Sequence, residues 1–326
     1  MAPASVEMRQ QRTRLVGIAF IVASALAFGA MAVLARVAYA DGADIVTLLA
    51  LRFSIAALCL AVIARVRGVE LPRGRDLAAV AALGGLGYGG QAATFFTALT
   101  LAPAGLVALL LYLHPALVAV LAVLLLHERM GPAKLAALAI ALTGLTLTVA
   151  PALAGEPTNA FPRLSTGIAL GLAAAAIYSA YIIAATRLTE RVSPLALSTV
   201  VVTSAAVVFA IAAALLGPQF PRSTAGWSAT IGIALVSTVA AITLYFAGLA
   251  RVGPTRASTL STIEPAFTIL LAWLLLGERV GALQAIGGAL ILGAVVMLAR
   301  ARSDVRDGPV DPPDPASDTT AHAQPR

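Results

Sequence analysis

The sequence predicts an all-α membrane protein, with ten transmembrane helices in two inverted five-helix repeats. Three observations carry that expectation. The chain has 326 residues, of which 60% are hydrophobic and 11% charged, and its mean hydropathy is +0.94. The apolar residues fall into ten blocks, each about as long as the ~20 helical residues that cross a ~30 Å hydrocarbon core. Finally, residues 114–131, HPALVAVLAVLLLHERMG, return at 264–281 as EPAFTILLAWLLLGERVG, an offset of 150 residues with no gap. The same register holds far upstream, where Gly17-Ile18-Ala19 matches Gly167-Ile168-Ala169. Peptide groups inside lipid have no water to bond, so each block is expected to be helical. A repeat of five spans, an odd number, brings the second copy in from the opposite face. The two copies are then related by an axis lying in the membrane plane.

The spans follow in order. The first, 15–38, comes after Arg9, Arg12 and Arg14. Its end, Ala38-Tyr39-Ala40, has the pattern of a signal-peptidase site. The stretch is too long for a signal core and its repeat partner is internal, so cleavage is not expected. The second, 45–66, holds Arg52 and Cys59 and ends in Arg65 and Arg67. The third, 77–99, is rich in small residues (GGLGYGGQAA), and Gly85 with Gly89 gives a spacing that favours close helix contact. The fourth, 103–126, contains His114-Pro115, and the fifth is 134–152. A polar linker then leads to the sixth span, 166–186, with Tyr178 and Tyr181, and to the seventh, 195–216. The eighth, 227–250, carries Tyr245, the ninth, 256–276, carries Glu264-Pro265, and the tenth is 282–300. The expected organisation is a first repeat at 1–152, an outer linker at 153–165, a second repeat at 166–302, and a disordered Pro- and Asp-rich cytoplasmic tail at 303–326.

The net charge of +7 does not point to nucleic acid, because the basic residues are dispersed and sort by loop. Seventeen of them, from Arg9 to Arg326, gather on one side, against Arg36, Arg163, Arg222 and Arg279 on the other. The positive-inside rule then places both termini in the cytoplasm of a bacterial inner membrane. A single cysteine, Cys59, leaves no disulfide framework, and His114, His127 and His322 are too scattered for a metal cluster. No cofactor and no nucleic-acid partner is expected. The bilayer and a small-molecule metabolite are, and a homodimer is admitted.

Ionisable groups at mid-membrane are costly and are therefore default functional candidates. Arg52, His114 and Glu264 are such groups, each about eight residues or more from its helix end. His114 and Glu264 occupy equivalent repeat positions, each directly before a proline. Pro115 and Pro265 are expected to kink their helices and to free the carbonyls of Leu111 and Ser261. Where the copies agree, the repeat describes scaffold. Where they differ, polar residues can serve one particular ligand: His114 against Glu264, Arg52 against Val202, Gln91 against Ala241, Tyr88 against Thr238. Ser258, Ser261, Glu264 and Thr268 share one helix face, as do Tyr88, Gln91 and Phe95. The candidate binding set is Tyr88, Gln91, His114, Tyr178, Tyr181, Ser261 and Glu264, with Glu264 also the proton-coupling group. Arg52 can alternatively serve only as an internal partner of Glu264. The pairs Glu128-Arg129 and Glu278-Arg279, at span ends, read either as gate ion pairs or, preferably, as helix caps.

The duplicated signature, with LLLHERMG and LLLGERVG closing equivalent spans and Glu264-Pro265 in the ninth, resembles the EamA-type transporters of the drug/metabolite transporter superfamily. The resemblance covers roughly residues 15–300. It implies a transporter of small metabolites, often an exporter of amino acids or related compounds. It also implies a central cavity lined mainly by spans 1, 3, 4, 6, 8 and 9, which includes Gln91, His114, Tyr178 and Glu264 but leaves Arg52 outside. Alternating access at a midplane site, coupled to protons through Glu264, is the expected mechanism, with uncoupled facilitation or uptake as the alternative. A membrane-embedded enzyme is disfavoured because no aspartate lies in mid-span and one His with one Glu holds a metal poorly. A receptor would need a sensory domain.

Overall fold

The computed structural model describes residues 3–126, 131–153, 161–189 and 191–306, and every regular element among them is helical. The first half comprises α1 (Pro3–Ala40), α2 (Ile45–Val66), α3 (Gly74–Ala82), a π-helical turn (Leu83–Tyr88), α4 (Gly89–Leu101), α5 (Ala104–Leu111), α6 (His114–Leu126) and α7 (Pro132–Leu153). The second comprises α8 (Leu164–Thr189), α9 (Pro194–Leu216), α10 (Thr224–Ala234), a second π-turn (Leu235–Ala240), α11 (Ala241–Val252), α12 (Pro254–Ser261), α13 (Ile263–Leu276) and α14 (Ala282–Arg306). The chain is a multi-pass, all-α membrane protein.

Among the described residues, nine helical runs are long and apolar enough to cross a bilayer. The run not among them is Gly74–Leu101, where Gly84, Gly85, Gly87, Gly89, Gly90 and Gln91 dilute the apolar character. At the C-terminal end α14 continues to Arg306, past the point at 303 where a disordered tail was expected. The rest of that tail, the linker residues 154–160, and His127, Glu128, Arg129 and His322 lie outside the described residues.

Packing exchanges the two halves. The segments α2 and α9 pair with each other, as do α7 and α14, and each pair joins equivalent spans. The contact of α1 with α11 is matched by that of α8 with α4, and the contact of α1 with α13 by that of α8 with α6. Glycine sets how closely several of the helices approach. A Cβ on Gly144 would stand 2.7 Å from the Gly287 carbonyl, which keeps α7 and α14 nearly in backbone contact. In the third span the tightest approach falls on Gly84, where a Cβ would lie 2.6 Å from Val201 Cα. Gly85, singled out by its spacing, faces only a side-chain methyl of Val208.

At one end of the bundle two loops are tied together. Asp44 caps α2 through Thr47 N at 2.9 Å and accepts from Gln219 N at 2.8 Å, while Asp41 accepts from Ser223 N at 2.7 Å. These backbone donors hold the Asp41 carboxyl below its ordinary range. Asp44 is also held low, its bonds from Thr47 and Gln219 outweighing partial burial.

Candidate functional site

A cavity of about 140 Å³ lies inside the bundle, bordered by residues from both halves. At ~30 Å³ per water it has room for a few waters, well below the ~300–1,000 Å³ of drug-sized pockets. Its polar wall consists of Arg52, Gln91, Tyr112, His114, Glu264 and Thr268, and Tyr88, Tyr178, Phe95 and Phe96 supply most of its aromatic wall.

Both spans that carry a proline before mid-membrane are interrupted there. The α-helix ends at Leu111 and resumes at His114, and in the second half it ends at Ser261 and resumes at Ile263. Proline at 115 and 265 cannot donate to the residue four positions back, so the carbonyls of Leu111 and Ser261 lose their helical partners. Each finds a side chain instead. His114 Nδ1 lies 3.0 Å from the Leu111 oxygen, and because a carbonyl only accepts, Nδ1 carries the proton. The Ser261 oxygen accepts from the Tyr112 hydroxyl at 2.7 Å. The same hydroxyl lies 2.9 Å from Glu264 Oε2, so Tyr112 of the first half closes the break in the second. Among the described residues the Glu264 side chain has no other hydrogen bond and no ion pair.

From Tyr112 an arc of rings runs around the cavity. Tyr112 meets His114 at 5.8 Å, His114 meets Tyr178 at 4.9 Å, and Tyr178 stacks on Tyr181 at 5.8 Å. Tyr181 then meets Tyr88 at 5.8 Å, and Tyr88 meets Phe53 at 5.7 Å. Edge and offset contacts of this kind hold rings in fixed orientations.

Tyr88 and Thr238 stand at equivalent positions in the two halves, each within a π-turn. A π-turn inserts an extra residue into the helix and often accompanies a functional site. Here Thr238 Oγ1 also bonds the Ile233 carbonyl five residues back at 2.9 Å, supporting the wider turn. Arg52 bridges the two turns, with Nε 3.1 Å from Thr238 Oγ1 and Nη2 3.3 Å from the Tyr88 hydroxyl.

The structure thus places Tyr88, Gln91, His114, Tyr178 and Glu264 on the cavity wall. Two sequence candidates are not on that wall. Tyr181 stands behind Tyr178 in the ring stack, and the Ser261 hydroxyl turns to its own helix, bonding the Ala257 carbonyl at 2.9 Å. The helix is interrupted at Thr262, so the regular period that would put Ser261 on one face with Glu264 and Thr268 does not run through. Arg52 is a correction in the other direction. Its span lies outside those implied for the cavity, yet its long side chain reaches the wall, and it bonds Thr238 and Tyr88 rather than Glu264. Tyr112 was missed altogether, although its repeat partner is Thr262, an exception of the kind that flagged Gln91.

Further bonds join helices at the end of the bundle that carries the tied loops. Arg36 Nη1 donates to the Leu99 carbonyl at 2.8 Å and Tyr39 to the Phe96 carbonyl at 3.2 Å, joining α1 to α4. Gly277, with φ of 66°, ends α13 in a left-handed turn. Glu278 follows and accepts from Ala104 N at 2.8 Å and Gly105 N at 3.2 Å, so it caps α5 in the other half. This is the capping reading of the Glu-Arg pair. Among the described residues no group of three or more His, Cys, Asp or Glu side chains is placed to hold a metal.

The profile of the EamA-like transporter family matches the chain twice, over residues 15–150 and 165–300. The chain therefore belongs to that family, whose members are transporters rather than enzymes. It is 26% identical over 261 residues to a Streptantibioticus cattleyicolor protein described as a probable terminal-alkyne amino-acid exporter, covering 80% of this chain and 86% of that one. An uncharacterized transporter of Archaeoglobus fulgidus is 28% identical over 207 residues, covering 63% of this chain and 70% of its own length. A protein of known crystal structure superimposes with a TM-score of 0.62 at 25% identity, covering 90% of this chain and 99% of that one.

Proposed function

We propose that this member of the EamA-like family exports amino acids or related small metabolites from a bacterial cell by proton-coupled alternating access. The reading takes the chain as ten spans in two inverted five-helix repeats, with both termini cytoplasmic. Rocking of the two bundles against each other would expose the cavity to one side and then the other. The exchange-symmetric packing supports that arrangement, as does the double match of the family profile. Export of amino acids draws on the relative described as an amino-acid exporter. In this reading Tyr88, Gln91, His114, Tyr178 and Glu264 contact the cargo, with Tyr181 and Ser261 behind them. A cavity of about 140 Å³ belongs to an occluded stage and widens when either side opens.

One observation carries the proposal: Glu264 borders the cavity at the break between α12 and α13 with only a neutral partner, Tyr112. An ionised carboxyl inside a bundle is costly without a counter-charge, and binding a proton or a cationic cargo removes that cost. A carboxyl held beside a helix break can therefore link its charge state to which side is open. Untargeted metabolite profiling of cells that overproduce the chain, beside a Glu264→Ala control, tests the function. A metabolite whose efflux rises with the wild type and not with Glu264→Ala is the expected result. Equal profiles in the two cultures would count against export through this site.

A further inference from the structure

Arg52 is the buried group that a proton cycle at Glu264 does not use. It is 2% exposed, yet it borders the cavity. A guanidinium keeps its charge at any physiological pH and offers five N–H donors. Nε and Nη2 each spend one donor on a neutral hydroxyl, those of Thr238 and Tyr88. Its Cζ lies over two rings, 4.7 Å from the centre of Phe53 and 5.1 Å from that of Phe96. Among the described residues no carboxylate pairs with it, and Nη1 meets no acceptor. Nη1 is not sealed off either, since Ser237 Oγ is the sole partnerless polar side-chain atom found fully enclosed among those residues. Arg52 is itself one of the residues that line the cavity.

A buried cation without an anion is costly, and desolvation is offset only when an opposite charge arrives with good geometry. The two hydroxyls that fix the guanidinium come from equivalent positions in the two halves, so its orientation is set from both sides. That is how a site is preorganised for a planar anion, and a guanidinium recognises a carboxylate with paired N–H donors. Glu264 borders the same cavity, at the other end of the ring arc from Arg52. We infer that Arg52 anchors a carboxylate of the transported molecule, and that the cargo is a small zwitterion whose ammonium group faces Glu264. The inference rests on the reading of this cavity as the transport site and adds the charge pattern of its occupant.

Binding titrations on the purified full-length protein test it, using each proteinogenic amino acid beside two derivatives. The methyl ester keeps the ammonium and loses the carboxylate, and the N-acetyl form does the reverse. At least one amino acid should bind, with its ester weaker by about tenfold or more, the scale of one charge-assisted contact. Arg52→Gln should lower binding of that amino acid to the level of the ester while leaving the ester unchanged. Arg52→Lys, which keeps the charge without the planar fork, should fall between. Glu264→Gln should instead erase the preference over the N-acetyl form. An ester that binds as well as its acid, an Arg52→Gln protein that keeps the preference, or no binding by any amino acid overturns the inference. Counterflow in proteoliposomes separates it from the transport reading. Amino-acid flux that Arg52→Gln leaves as strong, relative to the ester, as in the wild type overturns the anchor and leaves transport standing, whereas no flux of any compound above protein-free vesicles overturns both.

Discussion

The breaks at Leu111–Pro115 and Ser261–Pro265 began as the same feature in two copies, and they are closed in different ways. In the first copy the freed carbonyl is met by His114 from its own break, so the repair is local. In the second it is met by Tyr112 from the other half, and the same hydroxyl reaches Glu264. The first break also touches the other half, through Ser179 Oγ, which donates to the His114 carbonyl at 3.2 Å, and through the His114–Tyr178 ring contact. A repair that crosses between halves ties the position of Glu264 to their relative placement. The comparison teaches that asymmetry at one residue pair, Tyr112 against Thr262, is enough to turn a duplicated kink into a contact between the two bundles.

That contrast can be broken experimentally. Tyr112→Phe removes the hydroxyl from both Ser261 and Glu264 and should have the largest effect, about 1–3 kcal/mol for buried acceptors left unpaired. Heat denaturation in detergent should register that loss, and vesicle flux should fall with it. His114→Leu removes the bond to the Leu111 carbonyl and the ring contacts with Tyr112 and Tyr178, and should cost less, about 1–2 kcal/mol. If His114→Leu impaired flux as severely as Tyr112→Phe, the distinction between local and crossing repairs would fail.

The smallest effect concerns the loops tied by Asp41 and Asp44. Asp41 and Asp44 are both held below the ordinary value of 3.8, so the folded state favours their charged forms. Their stabilising contribution is then present at neutral pH and is lost as pH falls through the lowered folded values. Asp41→Asn with Asp44→Asn should flatten the acid limb of a stability profile below about pH 4. An unchanged acid limb would show that the loop ties carry no linkage.

Much of this site was legible in the sequence because its physics is local. Apolar block length marks spans, and proline chemistry identifies the Leu111 and Ser261 carbonyls without any coordinates. The 150-residue offset also picks out Gln91, His114 and Glu264 as exceptions. What was not legible depends on neighbours. The π-turns at Leu83–Tyr88 and Leu235–Ala240 have no residue signature, since the extra residue is held by packing and, at Thr238, by a bond to Ile233. The bond of the Ser261 hydroxyl to the Ala257 carbonyl was not legible either, because a regular helical period does not show a break at Thr262. Arg52 was set aside by the span it belongs to, when the length of its side chain decides what it reaches.

In the proposed cycle Glu264 carries the proton whose movement drives transport. Purified wild type and Glu264→Gln, reconstituted into proteoliposomes and loaded with a cargo found by metabolite profiling, test it under an imposed pH gradient. The gradient should accelerate cargo flux in the wild type and have no effect on Glu264→Gln. Full gradient-dependent flux in Glu264→Gln, or wild-type flux indifferent to the gradient, would contradict it.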